Sequence, residues 1–259
     1  MFKKIIISFG MALLCKMAFP QQDLTLYYMD RIPQISSVNP AFFPESKVNI
    51  GIPIISSIYF SASNSGFSYN DVDDIDKTVR RLADRNYMSV YNKINLIDFG
   101  FRIKDKNYFS LNITEHFMAR VTYPRDLFLL AWEGNGETLL GQRANMDALG
   151  FDFMHYREYG LGYSRKLLDE KLSIGGRVKY LSGFQNFWTK RSQLGLYTDT
   201  ENYAITLDGA LEINSSGFDD ISRGEFDYMD MAVNAGNHGF GLDLGVNYEY
   251  SDKFSVSAA

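Results

Sequence analysis

Apolar and polar residues alternate with a period of two along much of the chain, most clearly near its end. Between Phe240 and Tyr250 every even position is Phe, Leu, Val or Tyr, whereas every odd position is Gly, Asp, Asn or Glu. Successive side chains of a β-strand point to opposite faces, so this period predicts a strand with one apolar and one polar face. A soluble sandwich and a membrane barrel both use such strands.

The same alternation recurs in other segments, and together they predict an all-β protein. The regular segments cover residues 48–60, 97–103, 109–121, 172–180 and 203–213. Two more are less regular: residues 151–164 carry Tyr on both parities, so we expect a bulge, and residues 189–198 are mostly polar. With a further start after residue 253, the pattern predicts eight strands and the beginning of a ninth.

The connections between these segments have two lengths. Short turns are expected at residues 104–107, 168–171, 198–202 and 251–253, and longer links at 63–93, 122–150, 184–188 and 215–238. Short turns that alternate with long loops are the layout of an outer-membrane barrel, which a Greek-key sandwich has no reason to keep. Residues 71–89 and 124–135 predict short helices in the long loops, one from its apolar spacing and one from its leading proline.

Charged residues lie on the polar faces of these strands. They are Asp98, Arg102, Arg120, Arg177, Lys179, Asp208, Glu212, Asp243 and Glu249. In a barrel these side chains face the lumen, where water and opposite charges compensate them. The predicted fold is an antiparallel up-and-down transmembrane β-barrel. Because the sequence stops about half a strand after a turn, we expect it to be the N-terminal portion of a larger barrel. The alternative is a secreted β-sandwich or an adhesin-like structural protein.

The first residues predict export. Lys3 and Lys4 precede an apolar run from Ile5 to Cys15, which is too short for a membrane-spanning helix and suits a signal peptide. We place the signal peptide at residues 1–21, an N-terminal plug or periplasmic segment at 22–46, and the strands at 47–259. Cys15 is the only cysteine and is lost with the signal. The predicted location is the cell outer membrane, with outer-membrane lipid as a partner.

Composition and motifs argue against several functions. A net charge of -5 gives no basic footprint for nucleic acid. His116, His155 and His238 fall in separate strands without metal-ligand spacing. His155 has acidic neighbours at Asp152 and Glu158, but no nucleophile is marked beside it. We therefore expect no enzyme activity, no metal and no cofactor.

The segment "RIPQISSVNPAFFPESKVNIGIPIISSIYFSASNSGFSYND", residues 31–71, is similar to part of a known protein family. It resembles an uncharacterised outer-membrane β-barrel family of Bacteroidota, which is distantly similar to the long-chain fatty-acid transporter superfamily and to barrels associated with type IX secretion. In fatty-acid-transporter-like proteins an Asn-Pro-Ala motif lies in an N-terminal segment that plugs the barrel, and Asn39, Pro40 and Ala41 match it. The resemblance implies either transport of a small hydrophobic ligand or partnership with an envelope or secretion-system protein.

The Asn-Pro-Ala motif also predicts a rigid turn on physical grounds. Pro40 lacks a backbone donor and favours an extended conformation for Asn39, whose side chain can accept a local backbone hydrogen bond. Such a turn just before the first strand would fold residues 22–46 into the barrel interior or its periplasmic mouth. There we expect Asp23, Asp30 and Glu45 to pair with basic residues of the wall, and Arg31 to pair with acidic ones.

Overall fold

The structure is a computed structural model that describes residues 24–27, 29, 32–44, 46–52, 57–71, 73–217, 237–251 and 254–259. The predicted signal peptide, with Cys15, lies outside these residues, and so does the segment 218–236. The described chain forms one large antiparallel sheet with a few short helices. None of the described helices has the length and hydropathy to cross a membrane.

In the part of the chain that the structure describes, ten strands form the sheet. They are β1 (Val48–Gly51), β2 (Ile58–Asn64), β3 (Asn86–Ile103), β4 (Asn107–Tyr123), β5 (Arg143–Asn145), β6 (Gly150–Leu167), β7 (Leu172–Thr198), β8 (Ile205–Ser216), β9 (Asn237–Ser251) and β10 (Phe254–Ala258). The helices are α1 (Leu24–Tyr27), α2 (Ile75–Arg81) and α3 (Arg125–Trp132), with 3-10 turns at Pro33–Ser37 and Tyr69–Asp71.

Neighbouring strands follow one another up and down across the sheet. The order is β1, β3, β4, β6, β7, β9, β10, and every pairing is antiparallel. Strands β1 and β2 both pair with β3, and β8 and β9 both pair with the edge of β7 that faces away from β6. Within the described residues the sheet is open, with β1 and β10 at the two ends of this order. The all-β, antiparallel up-and-down fold agrees with the sequence pattern.

The last third of the chain differs from the predicted layout. Strand β7 runs without a break for 27 residues, so the expected link at residues 184–188 does not exist. The pairing shows why: β7 carries one extra residue at Phe184 and another at Lys190. Each extra residue shifts the alternation of inward-facing and outward-facing positions by one residue. In the sequence, such a shift within one strand resembles a loop between two strands.

The turn at residues 199–204 also lies at an unexpected end of the sheet. It joins β7 to β8 at the end where the long links 65–85 and 124–149 lie, whereas the turns after β3 and β6 are at the opposite end. Strands β8 and β9 then continue in one direction along the same edge of β7. The alternation of short and long links predicted that the link at residues 215–238 joins two antiparallel neighbours. Instead, the strands on either side of it, β8 and β9, run in the same direction.

Both predicted loop helices are present at the long-link end. Asp74 caps α2 by accepting a hydrogen bond from the Lys77 amide at 3.0 Å, and Pro124 immediately precedes α3. A small apolar cluster packs between these helices and the strands beneath them; its buried members are Val79, Leu129, Leu139 and Ala144. The helices thus cap one end of the sheet.

The two faces of the sheet differ in composition. Large hydrophobic side chains cover one face, which we call the apolar face, and many are exposed: Ile50 is 75% exposed, Leu244 65% and Phe240 81%. The opposite polar face carries Asp98, Arg177 and other polar groups that are buried. These polar groups are buried because the N-terminal segment lies on them.

Candidate functional site

Residues 32–44 form a compact segment, here called the strap, on the polar face. Its centre is the Asn39-Pro40-Ala41 turn, in which the Ala41 amide donates to Asn39 Oδ1 at 2.8 Å. Asn39 and Ala41 are each only 1% exposed. An asparagine that accepts from the backbone two residues later makes a tight turn, and the intervening proline has no amide to compete for the oxygen.

Two glycines on the polar face of the sheet, here called the wall, make room for this turn, and we call them its seat. Gly175 of β7 and Gly245 of β9 are direct partners in the sheet, and both face the strap. A Cβ atom on Gly175 would lie 2.1 Å from the Pro40 carbonyl oxygen, and one on Gly245 would lie 2.0 Å from Asn39 Oδ1. Side chains at these positions are incompatible with the seated strap, so here glycine permits a close approach of two backbones.

Wall side chains bind the strap through its main chain. Arg177 Nη2 donates to the Ser37 carbonyl at 3.2 Å, and Arg102 donates to the Pro44 carbonyl. The Ser164 hydroxyl donates to the Pro40 carbonyl. Because carbonyl groups that leave water must find donors, these three contacts satisfy a segment that has no ladder of its own.

Asn39 also connects the strap to the last strands. Its side-chain amide lies 3.4 Å from the Val246 carbonyl of β9 and 3.3 Å from the Ala258 carbonyl of β10, and these two residues are partners in the ladder. The strap therefore contacts strands from β3, through Arg102, to β10. It acts as a brace across the polar face.

A network of charges surrounds the seat. Asp243 Oδ2 lies 2.7 Å from Arg177 Nη2 and 2.6 Å from Lys179 Nζ. Glu158 lies 3.8 Å from each of the same two cations. It also lies 3.7 Å from His116 Nε2 and accepts a hydrogen bond of 3.5 Å from the Asn112 side-chain amide. Two cations and two carboxylates thus compensate one another next to the strap, which limits the cost of their partial burial.

A small cavity lies between the described residues of the strap and the polar face of the sheet. Its volume is about 10 Å³, which is close to the minimum that one water molecule needs. Its lining is polar on both sides: Gln34, Ser36 and Ser37 from the strap, and Lys93, Asn95, Asp98, Ser110, Asn112, Thr114, Glu158 and Arg177 from the wall. The strap therefore closes tightly on this part of the polar face.

The structure separates the predicted lumen-facing charges into two groups. Arg177, Lys179 and Asp243 come together beside the strap; Arg102 contacts it directly, and Asp98 lines the small cavity. The others lie elsewhere. Arg120 is over the Tyr87 ring at 5.4 Å, Asp208 binds Arg143, Glu212 lies 2.6 Å from Lys190 Nζ, and Glu249 lies 3.4 Å from the Asn247 side-chain amide.

The predicted ion pairs of the N-terminal segment involve residues that the structure does not describe. Two basic residues of the polar face, Arg102 and Arg177, donate to main-chain carbonyls of the strap. The four charged residues of that prediction, Asp23, Asp30, Arg31 and Glu45, lie outside the described residues. Hydrogen bonds from side chains to main-chain carbonyls could not be predicted from the sequence, because every residue supplies a carbonyl.

A second ionic cluster lies on the apolar face, where none was expected. Arg157 Nε donates to Glu115 Oε1 at 2.7 Å, and His155 Nε2 is 3.0 Å from Glu115 Oε2. Phe117 stacks on His155, and Phe184 covers both His155 and Arg157. The sequence pattern placed His155 near Asp152 or Glu158, but those residues have the opposite parity and pair on the polar face.

Several residues of the site were missed in the sequence. Glu158 lies in a stretch with tyrosines on both parities, so its face was ambiguous. Lys93 fell in the long link predicted at residues 63–93, whereas β3 already begins at Asn86. Gly175 and Gly245 were noted only as small residues of a polar face. The signal that could have identified them is that two glycines occupy inward positions on strands that pair with each other.

Comparison with known proteins gives one match. Residues 40–259 match DUF5723, a family of unknown function. The chain belongs to this family. A search of curated proteins and a search of solved structures both give no match. The DUF5723 match begins at Pro40, within the strap turn, and covers every strand of the sheet. No group of three or more potential metal ligands occurs among the residues described in this DUF5723 chain.

Proposed function

We propose that this DUF5723 protein is an outer-membrane β-barrel protein in which the strap is a plug that controls passage along the polar face. The single observation that carries the proposal is the opposition of the two faces of the same strands. The apolar face leaves large side chains such as Leu242 and Leu244 more than half exposed, whereas the polar face holds a closely fitted N-terminal segment. Lipid is the environment in which exposed apolar side chains on a tilted wall are stable.

Passage of a small hydrophobic molecule is the transport function that the fatty-acid-transporter resemblance suggests. In this proposal, displacement of the strap opens the route. The contacts that hold the strap are hydrogen bonds to carbonyls and close packing on two glycines, so a modest shift of Asn39 and Pro40 releases several of them together. Such an element can exchange between a seated and a released state.

A secretion-associated role is the second candidate, and the small cavity favours it. If the wall closes around the strap, a gap of about 10 Å³ admits no solute larger than water. A barrel that stays closed would serve as a scaffold for another envelope protein rather than as a channel. The resemblance to barrels associated with type IX secretion suggests this class of partner.

Deletion of residues 22–38 separates the two functions. For the transporter, the deletion raises the permeability of outer membranes or proteoliposomes to small solutes. A linker of glycine and serine of equal length in place of residues 22–38 is the matched control. It keeps the chain length and the Asn39-Pro40-Ala41 turn, and removes the side chains that Gln34, Ser36 and Ser37 contribute to the small cavity. For the scaffold, permeability stays at the wild-type value in both variants, and an envelope protein co-purifies with the wild type and is lost from the deletion.

Thiol labelling tests the position of the strap in the intact protein. The sequence has no cysteine after residue 15, so a single introduced cysteine reports its own exposure. Cysteine at Ser37 is expected to resist a bulky reagent, whereas cysteine at the exposed Lys77 of α2 reacts fully. Full reaction at both sites, in a protein that is soluble without detergent, would support the secreted sandwich instead.

A further inference from the structure

A wide apolar groove lies on the apolar face, near the end of the sheet where β3 turns into β4. Its volume is about 680 Å³, within the range of about 300–1,000 Å³ that ligand pockets occupy. It crosses five neighbouring strands. The side chains that line it are Phe99, Phe101, Phe109, Leu111, Leu161, Tyr163, Val178 and Leu242, with Gly176 among them.

The groove exists because Gly176 leaves a gap in an otherwise continuous apolar surface. Gly176 pairs with Tyr163 on one side and Leu244 on the other, and both carry large side chains. A Cβ atom on Gly176 would lie 3.6 Å from Leu244 Cδ2, an ordinary contact, so the fold does not require glycine here. The gap can be filled without strain, which makes it a feature that a substitution can test.

Aromatic rings form one wall of the groove. The Phe101 and Phe109 rings stack with centroids 5.3 Å apart, and Tyr163 lies 4.9 Å from Phe109. The Tyr163 hydroxyl donates to Asn107 Oδ1 at 2.9 Å, which points its polar atom toward the turn end of the sheet. The groove is therefore apolar along its length and becomes polar at one end.

A cation lies at that polar end. Arg165 follows Tyr163 by two residues on β6, so it occupies the same face about 7 Å farther along the strand. Arg165 is exposed, and its guanidinium has no ion pair or hydrogen bond within the described part of the chain. By contrast, the neighbouring Lys166 pairs with Glu170 at 3.5 Å. An unpaired guanidinium beside an apolar groove is suited to a phosphate attached to a hydrocarbon chain.

We propose that this groove binds one acyl chain of an anionic phospholipid, with the lipid phosphate held by Arg165. The proposal rests on the proposed function, because it requires that the apolar face lies in a lipid layer. The choice of an anionic lipid follows from the unpaired charge, and the choice of an acyl chain follows from the apolar lining. The tyrosine and the arginine then mark the level of the lipid headgroups.

Lipid binding to the purified chain in detergent tests this site directly. Native mass spectrometry would count bound phosphatidylglycerol and phosphatidylcholine on the wild type and on three variants. We expect the wild type to prefer phosphatidylglycerol about tenfold, as one charge-assisted contact provides. Arg165→Gln should abolish the preference and keep weak binding of both lipids, and Gly176→Leu should lose both. Lys77→Gln, which removes an exposed cation at the opposite end of the sheet, should behave as wild type.

The outcomes separate this site from the proposed function. Wild-type lipid binding by Gly176→Leu, or an unchanged preference in Arg165→Gln, would overturn the lipid site. Since Arg165 is exposed and unpaired, its substitution tests the site even if Gly176→Leu fails to fold. Neither result bears on permeability after deletion of residues 22–38. Recovery of the wild-type protein in a soluble fraction without detergent would instead contradict the membrane location itself.

Discussion

On strand β9, Asp243 and Gly245 face the strap, whereas Leu242 and Leu244, one residue away on the same backbone, are more than half exposed. The inward positions are fitted to a particular segment of this chain: Gly245 leaves room for Asn39, and Asp243 compensates the arginine that holds Ser37. The outward positions share only size and hydrophobicity. The residues on the two faces of one strand therefore meet different requirements: those on the polar face fit the strap, and those on the apolar face are only large and hydrophobic.

This difference indicates what each face requires. The polar face is specific, because its contacts join carbonyls, glycines and charges at defined distances, and a change of one atom disturbs them. On the apolar face, the charges of Glu115, His155 and Arg157 are paired and covered by aromatic rings. If this face meets lipid as proposed, it should tolerate changes of shape but not an unpaired charge. Substitutions of matched size on the two faces should consequently fail for different reasons.

A charge on the apolar face should have the largest effect. Phe240→Arg should destabilise the protein by about 2–4 kcal/mol if the apolar face lies in a bilayer as proposed, the cost of an arginine near the bilayer middle. Phe240 pairs with Tyr180, which pairs with Tyr159, about 13 Å along β6 from Tyr163 at the proposed headgroup level.

Leu207→Arg is the matched control, because Leu207 is also exposed. Leu207 pairs with Leu196, which lies about 26 Å along β7 beyond Trp188, the last β7 residue that pairs with β6. Denaturant unfolding in lipid vesicles measures both. Equal tolerance of the two substitutions would contradict the lipid-facing assignment.

A methyl group in the seat should have a smaller effect that is confined to the strap. In Gly245→Ala the new Cβ meets Asn39 Oδ1 at 2.0 Å, so the strap must shift, at a cost of about 1–3 kcal/mol that is typical of overpacking. Gly241→Ala is the control on the same strand and face, because its Cβ finds only ordinary contacts with Lys179. Limited proteolysis should cut the strap faster in Gly245→Ala alone. Identical digestion patterns would show that the strap does not rest on Gly245.

A smaller effect is expected at the capped end of the sheet. The Ser68 amide and hydroxyl and the Arg81 guanidinium lower the pKa of the half-buried Asp71 carboxyl to about 2, from an ordinary value near 3.8. Because this pKa is lowered in the folded state, its contribution to stability is complete above about pH 5 and is lost progressively as the pH falls through about 2. A carboxyl titration by NMR should give a midpoint near pH 2. A midpoint near pH 4 would show that Asp71 lacks these contacts.

Much of the fold could be predicted because alternation is a property of the sequence itself. The strands β4 and β9 have an uninterrupted period over most of their length, and their faces follow from parity alone. Strand β3 could be predicted only over residues 97–103, because the irregular pairing at Leu96 exchanges the parity before them. The course of β7 could not be predicted, since the extra residues at Phe184 and Lys190 exchange the parity without any turn residue to mark them. Bulges are determined by pairing with a neighbour, which a single strand does not reveal.

The site could be predicted only in outline. Asn39, Pro40 and Ala41 carried a signal because an asparagine before a proline limits the local backbone. The residues that contact the strap carried no such signal. Arg177 donates to a main-chain carbonyl, and Gly175 is needed because a Cβ atom there would clash with the strap. Contacts of this kind depend on which strands lie beside each other, and therefore on the fold as a whole.

The seating of the strap is the central claim, and a disulfide between Asn39→Cys and Gly245→Cys tests it most directly. A Cβ at position 245 would lie 2.0 Å from Asn39 Oδ1, which is the clash that Gly245→Ala introduces. Asn39→Cys removes this oxygen and leaves contacts of 3.0 Å to Pro40 and Ala41, so the double variant needs only a small adjustment of the strap to reach the Cβ separation of about 3.5–4.5 Å in a disulfide. Gly241 faces the same way about 13 Å farther along β9, so Asn39→Cys with Gly241→Cys is the control. The seated strap predicts that, on oxidation, the first pair closes and the second stays reduced. Equal closure of the two pairs, or no closure in either, would contradict it.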